Sequence, residues 1–322
     1  MLSESYVIDP TPEYPLFLVA KRYWVPEFER HAANPAAMTL IVLHSTSFHK
    51  ETWEPALEDL FALAAQPRST APIREAWAID CPNHGEAGAR NHDTLRGPDF
   101  VEFSCEKYAQ AVHRFLSAHP SAAFKRRRLV GIGHSLGANA MILLQDVQPL
   151  FAFSTLIIVE PMLSAGGAEH LAPLRNKLVG RARKRTKCWT SLAEARRDYS
   201  QRGRHGAKWD PRVLDLFIRF DISCMREQEV AMYMDTEGAI KPVSILDVIC
   251  RHIPIHIALG GKSDLIPPHV HPALVDPKSG RVFASVTTIA GVGHLIPQEV
   301  PKALAAYIFT VLAGDIPILP RL

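Results

Sequence analysis

Leu129-Val130-Gly131-Ile132-Gly133-His134-Ser135-Leu136-Gly137-Ala138 is the stretch that decides the fold. An apolar, β-branched run stops at Gly-His-Ser-Leu-Gly, and a helix-forming run over 138–147 begins at once. The stretch reads as strand, tight turn and helix, with a serine at the apex. Gly133 and Gly137 carry no Cβ, so the turn can be sharp and the helix can lie close to the strand. A serine on such a turn is held in strained backbone with its Oγ above the sheet, the geometry of a nucleophile elbow. The Gly-x-Ser-x-Gly pattern gains its weight from the strand before it and the helix after it.

Outward from the elbow, short apolar runs at 39–43, 75–80, 128–132, 155–159, 253–259 and 283–289 read as buried strands, with a longer strand over 16–25. Helical spacing covers 55–65, 100–118 and 298–312. Strands alternating with helices, over connections long enough for crossovers, predict a doubly wound, mostly parallel sheet. The rhythm breaks over 162–250, a basic stretch of helical pattern that includes Tyr199, Trp209, Phe217, Phe220 and Met232. It is expected to form a helical cap inserted between two parts of one core, 1–161 and 251–322.

Composition narrows the class. At 322 residues with 47% hydrophobic content, the chain can bury a large core. It has no run of roughly 18 uncharged apolar residues, so no membrane span is expected, and the first twelve residues lack a secretory pattern. The five cysteines are odd in number and contain no Cys-x-x-Cys pair, which suits reduced thiols in an intracellular protein. Between Arg175 and Arg212 stand thirteen Lys/Arg and three acids, on an otherwise acidic chain. This cationic lobe fits an anionic small molecule or surface, or else a solvated helical face. No nucleic-acid partner is expected.

A serine hydroxyl needs a base, and the base needs an acid to orient it. Ala290-Gly291-Val292-Gly293-His294 follows the last strand, and its glycines let His294 turn back toward Ser135. Two acids compete for His294. Asp264 follows a buried strand 30 residues before the histidine, and Glu160 ends the strand after the elbow helix. Both stay open. The oxyanion hole calls for two backbone N–H donors, each contributing about 3 kcal/mol, expected from Leu136 and Thr46. His44, Ser45 and His134 flank these donors and are candidate substrate contacts. His252, His256, His269 and His271 have no clustered carboxylate or cysteine beside them, so neither a metal nor a cofactor is expected.

On these residues the chain resembles the α/β-hydrolase fold superfamily over 16–312: the elbow, the His-x-Thr loop, the Asn83-His84-Gly85 turn and Gly-x-Gly-His occur in order. More narrowly, Phe48-His49-Lys50-Glu51-Thr52-Trp53-Glu54-Pro55 resembles the fungal toxin-biosynthesis and peroxisomal lipase-like branch. So do the basic stretch before Trp189, Ser191-Leu192-Ala193-Glu194-Ala195, and Trp209-Asp210-Pro211-Arg212-Val213-Leu214. The resemblance implies an α/β-hydrolase fold and serine-dependent cleavage of an ester or acyl-CoA thioester, in a secondary-metabolite or peroxisomal acyl pathway. The superfamily's order of serine, acid and histidine suits Asp264. In this branch the acid can instead follow the strand after the elbow, which suits Glu160. Ser45 departs from the glycine that commonly follows the histidine. Arg181, Arg183, Lys184, Arg185 and Lys187 are then candidates for the phosphates of coenzyme A. Pro320-Arg321-Leu322 resembles a peroxisomal address read by an import receptor, which would place the protein in the peroxisome rather than the cytoplasm. An acyltransferase, cyclase or lyase using the same serine, and an inactive ligand-binding relative, are the alternatives.

Overall fold

The computed structural model describes residues 1–119, 123–184, 191–201, 208–220 and 226–314. Arg185, Lys187 and Pro320-Arg321-Leu322 lie outside the described residues. Eight strands, β1 (Leu2–Ile8), β2 (Leu18–Trp24), β3 (Met38–Leu43), β4 (Ile73–Ile79), β5 (Arg128–His134), β6 (Phe153–Val159), β7 (Ile255–Gly260) and β8 (Ser285–Ile289), form one sheet in the order β1-β2-β4-β3-β5-β6-β7-β8. β2 runs antiparallel to both neighbours, and every pairing from β4 to β8 is parallel.

The helices that shape the site are α1 (Glu54–Ala64), α2 (Cys105–Ala118), α3 (Leu136–Leu143), α4 (Ala172–Lys184), α5 (Leu192–Gln201), α6 (Pro211–Phe220), α7 (Arg226–Met234), α8 (Glu237–Ile249), α9 (Val270–Val275) and α10 (Pro301–Ala313). α1 and α10 cover one face of the sheet through Leu57, Leu60, Phe61, Leu304 and Ile308. α2, α3 and α8 cover the other through Val112, Phe115, Met141 and Leu246. All six residues of β3 are buried because helices lie on both faces, which is why the run is continuously apolar rather than alternating.

Three local differences from the sequence reading have physical causes. β1 carries no apolar period because it is an edge strand with mostly exposed residues, so only its seven-residue pairing with β2 reveals it. The helix expected from 100 starts at Cys105, because Ser104 Oγ caps it by accepting the Lys107 N–H at 3.2 Å. The helix expected over 298–312 is divided: Ile296–Glu299 forms one turn, and α10 begins at Pro301, where the missing N–H does no harm.

β3 lies between β4 and β5, so the connections leave in opposite directions and a crevice opens beyond the carboxyl ends of the strands. The loops after β3, β5, β6, β7 and β8 gather there. Helices α4 to α8 all fall between β6 and β7, with no strand among the described residues of that stretch.

Candidate active site

The elbow is built as its glycines require. Ser135 has φ 55° and ψ −122°, a conformation that costs a non-glycine residue about 1–3 kcal/mol. The turn is held by the Ser135 N–H donating to Val159 O at 2.9 Å. A Cβ on Gly133 would lie 2.6 Å from Ala138 Cα, and one on Gly137 would run into the carbonyl oxygens of Leu43 and His44. Those two absences let α3 start directly against the loop after β3.

Ser135 Oγ lies 2.9 Å from His294 Nε2, and His294 Nδ1 lies 3.0 Å from Glu160 Oε2. All three residues are buried, Ser135 to 1% exposure, so the hydroxyl stands under a roof rather than in open solvent. Glu160 also has a left-handed φ of 46°, its N–H donates to Ala258 O at 2.9 Å, and its Oε1 accepts the Gly260 N–H at 2.5 Å. Burial pushes the Glu160 carboxyl pKa up, but the hydrogen bond and charge of His294, with the charge of His271 and the Gly260 N–H, outweigh burial and hold it below the usual value.

Asp264, the other candidate acid, occupies a different place. Its Oδ1 accepts the backbone N–H of His294 at 2.9 Å rather than the imidazole proton. Gly293 makes room for it, since a Cβ there would collide with the Asp264 carboxylate. Asp264 therefore fixes the loop, and Glu160 holds the ring. Chain order alone suits Asp264, but the end of β6 reaches the distal nitrogen first.

Thr46 and Ser45 line the same cavity as Ser135 and His294. Gly137 packed on the His44 carbonyl brings the N-terminus of α3, with the Leu136 N–H, beside the 44–46 loop. His44 and His134, read from sequence as substrate contacts, do not line this cavity. Both are buried behind it. His44 Nδ1–H donates to Ser45 O at 2.8 Å and its Nε2 accepts the Cys81 N–H at 2.9 Å, so it braces the loop in neutral form. His134 Nε2–H donates to His294 O at 2.9 Å and braces the loop after β8. Burial lowers their pKa values to about 4 and about 3.

The Phe-His-Lys-Glu run and the Asn-His-Gly turn are the scaffolding of this loop. The fully buried Lys50 Nζ sits 2.9 Å from Asp80 Oδ2 and 3.0 Å from Glu51 Oε1, while Asp80 Oδ1 accepts the Lys50 N–H at 2.9 Å. Burial opposes the charge on Lys50, yet Asp80 and Glu51 raise its pKa above the usual value. Gly85 (φ 57°) packs against Asp80 where a Cβ would lie 2.8 Å from the carboxylate. His84 Nδ1–H donates to Asn83 Oδ1 at 2.6 Å, leaving Nε2 to accept the Ser47 N–H at 2.9 Å. Among the described residues, no group of three His, Cys, Asp or Glu is placed to hold a metal ion.

Residues 40–307 match the model of the alpha/beta hydrolase family. The chain belongs to that family. Among curated proteins, this α/β hydrolase is similar to the type I acyl-CoA thioesterase mpaH of Penicillium roqueforti, 26% identical over 209 residues, or 63% of this chain and 43% of that one. It is also similar to the peroxisomal membrane protein LPX1 of Saccharomyces cerevisiae, 28% identical over 145 residues, or 44% of this chain and 35% of that one. The matches thus span under half the length of these curated relatives. Among solved structures, the peroxisomal alpha-beta-hydrolase Lpx1 of Saccharomyces cerevisiae superposes with TM-score 0.74 at 20% identity, covering 100% of this chain and 93% of that one. A thioesterase domain from the curacin biosynthetic pathway superposes with TM-score 0.65 at 16% identity, covering 96% and 100%. These likenesses carry the fold.

The cavity of the α/β hydrolase encloses about 600 Å³ above Ser135. Its apolar wall includes Phe48, Leu178, Trp209, Phe217 and Leu295, drawn from the loops and from α4 and α6. Lys177, Arg181 and Lys184, exposed and one helical turn apart along α4, line it as well. Arg183 points to a separate groove beside Asp99 and Lys241, away from the serine, and so departs from the expected substrate set. The reason is angular: consecutive helix positions face different sides. Lys177 was legible in the i, i+4, i+7 spacing of Lys177, Arg181 and Lys184. Glu229 and Tyr233 on α7, which also line the cavity, gave no sequence signal, since an acid on a helix is ordinarily a solvated one. No helix among the described residues is long and apolar enough to cross a membrane.

Proposed function

We propose that the protein is a serine hydrolase that cleaves acyl-CoA thioesters through an acyl-enzyme. The observation that carries this reading is the continuous relay from Ser135 Oγ to His294 Nε2 at 2.9 Å and from His294 Nδ1 to Glu160 Oε2 at 3.0 Å. In this account Ser135 Oγ attacks the thioester carbonyl while His294 Nε2 takes its proton, and Glu160 stabilises the imidazolium and fixes its tautomer. The Leu136 and Thr46 N–H groups hold the oxyanion. The carbon–sulfur bond breaks, His294 protonates the departing thiolate, and water repeats the sequence to release the acid.

The described residues of the 162–250 stretch act as the cap, closing the acyl group away from solvent. Lys177, Arg181 and Lys184 meet the coenzyme A phosphates at the cavity mouth, where charge-assisted hydrogen bonds outperform neutral ones. The thioesterase relatives support the choice of leaving group. Free-thiol release from a panel of acyl-CoA thioesters, run beside simple aryl esters and at low and high salt, tests the reading. It predicts thioester cleavage that weakens as salt rises and yields the free acid. Aryl-ester cleavage without thioester cleavage removes coenzyme A, and transfer of the acyl group to an added acceptor without free acid replaces hydrolysis by acyl transfer.

A further inference from the structure

We propose that Asn139 is a positioning residue that ties both ends of the cap to the nucleophile's own helix, and so sets the roof under which an acyl chain must fit. This rests on reading the cavity above Ser135 as the acyl site. Among the described residues, every cap residue lining that cavity falls between Met162, just beyond β6, and Gly238, the second residue of α8. Both ends of that stretch meet one amide. Asn139 Nδ2 donates to Met162 O at 2.8 Å and to Gly238 O at 2.8 Å. The two ends also hold each other, through the Ser164 N–H on Ala239 O at 3.0 Å. Asn139 stands one turn into α3, just after the nucleophile, and its own N–H donates to Ser135 O at 3.2 Å. One residue thus joins the carbonyl of Ser135 to the exit and the return of the cap, 23 and 99 residues along the chain.

The chemistry of the amide makes this contact specific. Both neighbours are carbonyl oxygens, which only accept, so they face the two N–H groups of Nδ2 and the orientation of the amide is fixed. Asn139 Oδ1 is buried and has no hydrogen-bond partner. An unpaired buried oxygen is unfavourable, and a leucine of similar size would avoid it. What asparagine supplies here, and an apolar side chain does not, is two donors. Asn139 is fully buried and does not line the cavity, so it acts on a substrate through what it holds. Met162 is the direct link, since its carbonyl is on Asn139 and it lines the cavity. From Met162 the chain runs to α4, whose Leu178 forms part of the apolar wall, and α4 packs on α7. Asp235, just after α7, closes the return: its Oδ1 accepts the Gly238 N–H at 2.9 Å and its Oδ2 the Cys105 N–H at 2.8 Å. The roof is therefore hung from both ends. Shifting those ends moves the wall met by the far part of an acyl chain, while the elbow and the loop after β8 hold Ser135 and His294 independently.

The test measures kcat and KM of the full-length protein for 4-nitrophenyl octanoate and 4-nitrophenyl acetate. The pair shares a leaving group and differs in how far the acyl chain reaches under the cap. Asn139→Leu keeps the size and removes both donors, and Asn139→Asp keeps the outline and leaves at most one. Each is expected to lower the octanoate-to-acetate ratio of kcat/KM by about tenfold, as a displaced wall does. The loss falls in KM, with kcat for the octanoate within about threefold of wild type, because binding contacts are lost and not a catalytic group. An Asn139 that only stabilises the fold lowers Tm and affects both esters alike. A ratio within about twofold of wild type in a folded variant, or a fall carried by kcat alone, therefore overturns the proposal, while Ser135-dependent cleavage keeps the hydrolase reading standing. Binding of methyl octanoate to Ser135→Ala, with and without Asn139→Leu, supplies a readout free of turnover. The proposal expects Kd about tenfold weaker in the double variant, and an equal Kd overturns it. A weaker Kd there, with no cleavage of either ester by wild type, keeps the role of Asn139 and overturns the hydrolase.

Discussion

Glu160 Oε2 stands 3.0 Å from His294 Nδ1, and both residues are buried. The competing carboxylate, Asp264, takes the backbone N–H of the same histidine at 2.9 Å. Two acids thus serve one histidine, the first through its ring and the second through its main chain.

This division predicts unequal mutants. Glu160→Gln removes the charge that balances the imidazolium and can favour the wrong tautomer, so kcat falls by about 10³- to 10⁴-fold with little change in KM. Asp264→Asn keeps an acceptor for the His294 N–H and lowers kcat by less than about tenfold. Steady-state kinetics of both variants on one substrate check this, and the reverse ranking would give Asp264 the orienting role.

The buried ion cluster beneath the 44–53 loop makes a stability prediction. Lys50→Met leaves Asp80 and Glu51 without their buried cation, at a cost of about 3–5 kcal/mol, the size measured when one partner of a buried pair is removed. Chemical denaturation reads the loss. A change under 1 kcal/mol would mean that the cluster is hydrated and weak.

Acid stability follows from the same groups. Burial raises the Glu51 carboxyl, but His49 and Lys50 more than offset it and leave its folded-state pKa near 2, against an ordinary value of 4.5. Glu160 is held low as well. A depressed folded pKa contributes stability above about 4.5 that is lost as pH falls toward 2. The melting temperature is therefore expected to fall steeply below pH 5, and the fall is shallower in Glu51→Gln. Equal slopes in the two proteins would remove Glu51 from the account.

The cations on α4 predict an ionic-strength effect confined to charged leaving groups. Replacing Lys177, Arg181 and Lys184 together by alanine raises KM for an acyl-CoA about tenfold and flattens its salt dependence, while KM for an uncharged aryl ester moves far less. Arg183→Ala, on the other groove, is the matched control for loss of charge. A triple variant indistinguishable from Arg183→Ala would take the phosphates elsewhere.

Much of this architecture is local in sequence, and the rest is not. The parallel strands, the elbow and the His294 loop are legible because apolar runs, two glycines and a histidine lie within a few residues of one another. β1 is not, because in this edge strand only Tyr6 and Ile8 pack against the core, too few positions to set a period. The choice between Glu160 and Asp264 turns on which strand end reaches an imidazole nitrogen, a distance set by sheet register across 134 residues of chain. His44 and His134 look like site residues from their neighbours, yet lie behind the cavity, where His44 Nδ1 and His134 Nε2 bond backbone carbonyls. Ser47 and Glu229 meet across 182 residues, and neither has a flanking pattern that marks it. The loop motifs, Phe-His-Lys-Glu and Asn-His-Gly, serve mainly to hold the 44–48 backbone in place.

The central claim is that an acyl group passes through Ser135. Rapid acid quench during turnover of an acyl-CoA, followed by proteolysis and mass spectrometry, tests it directly. The account predicts the acyl mass on the peptide containing Ser135, absent from Ser135→Ala, whose turnover falls by roughly 10⁴- to 10⁶-fold. Undiminished turnover by Ser135→Ala, or an acyl adduct on another residue, would contradict it.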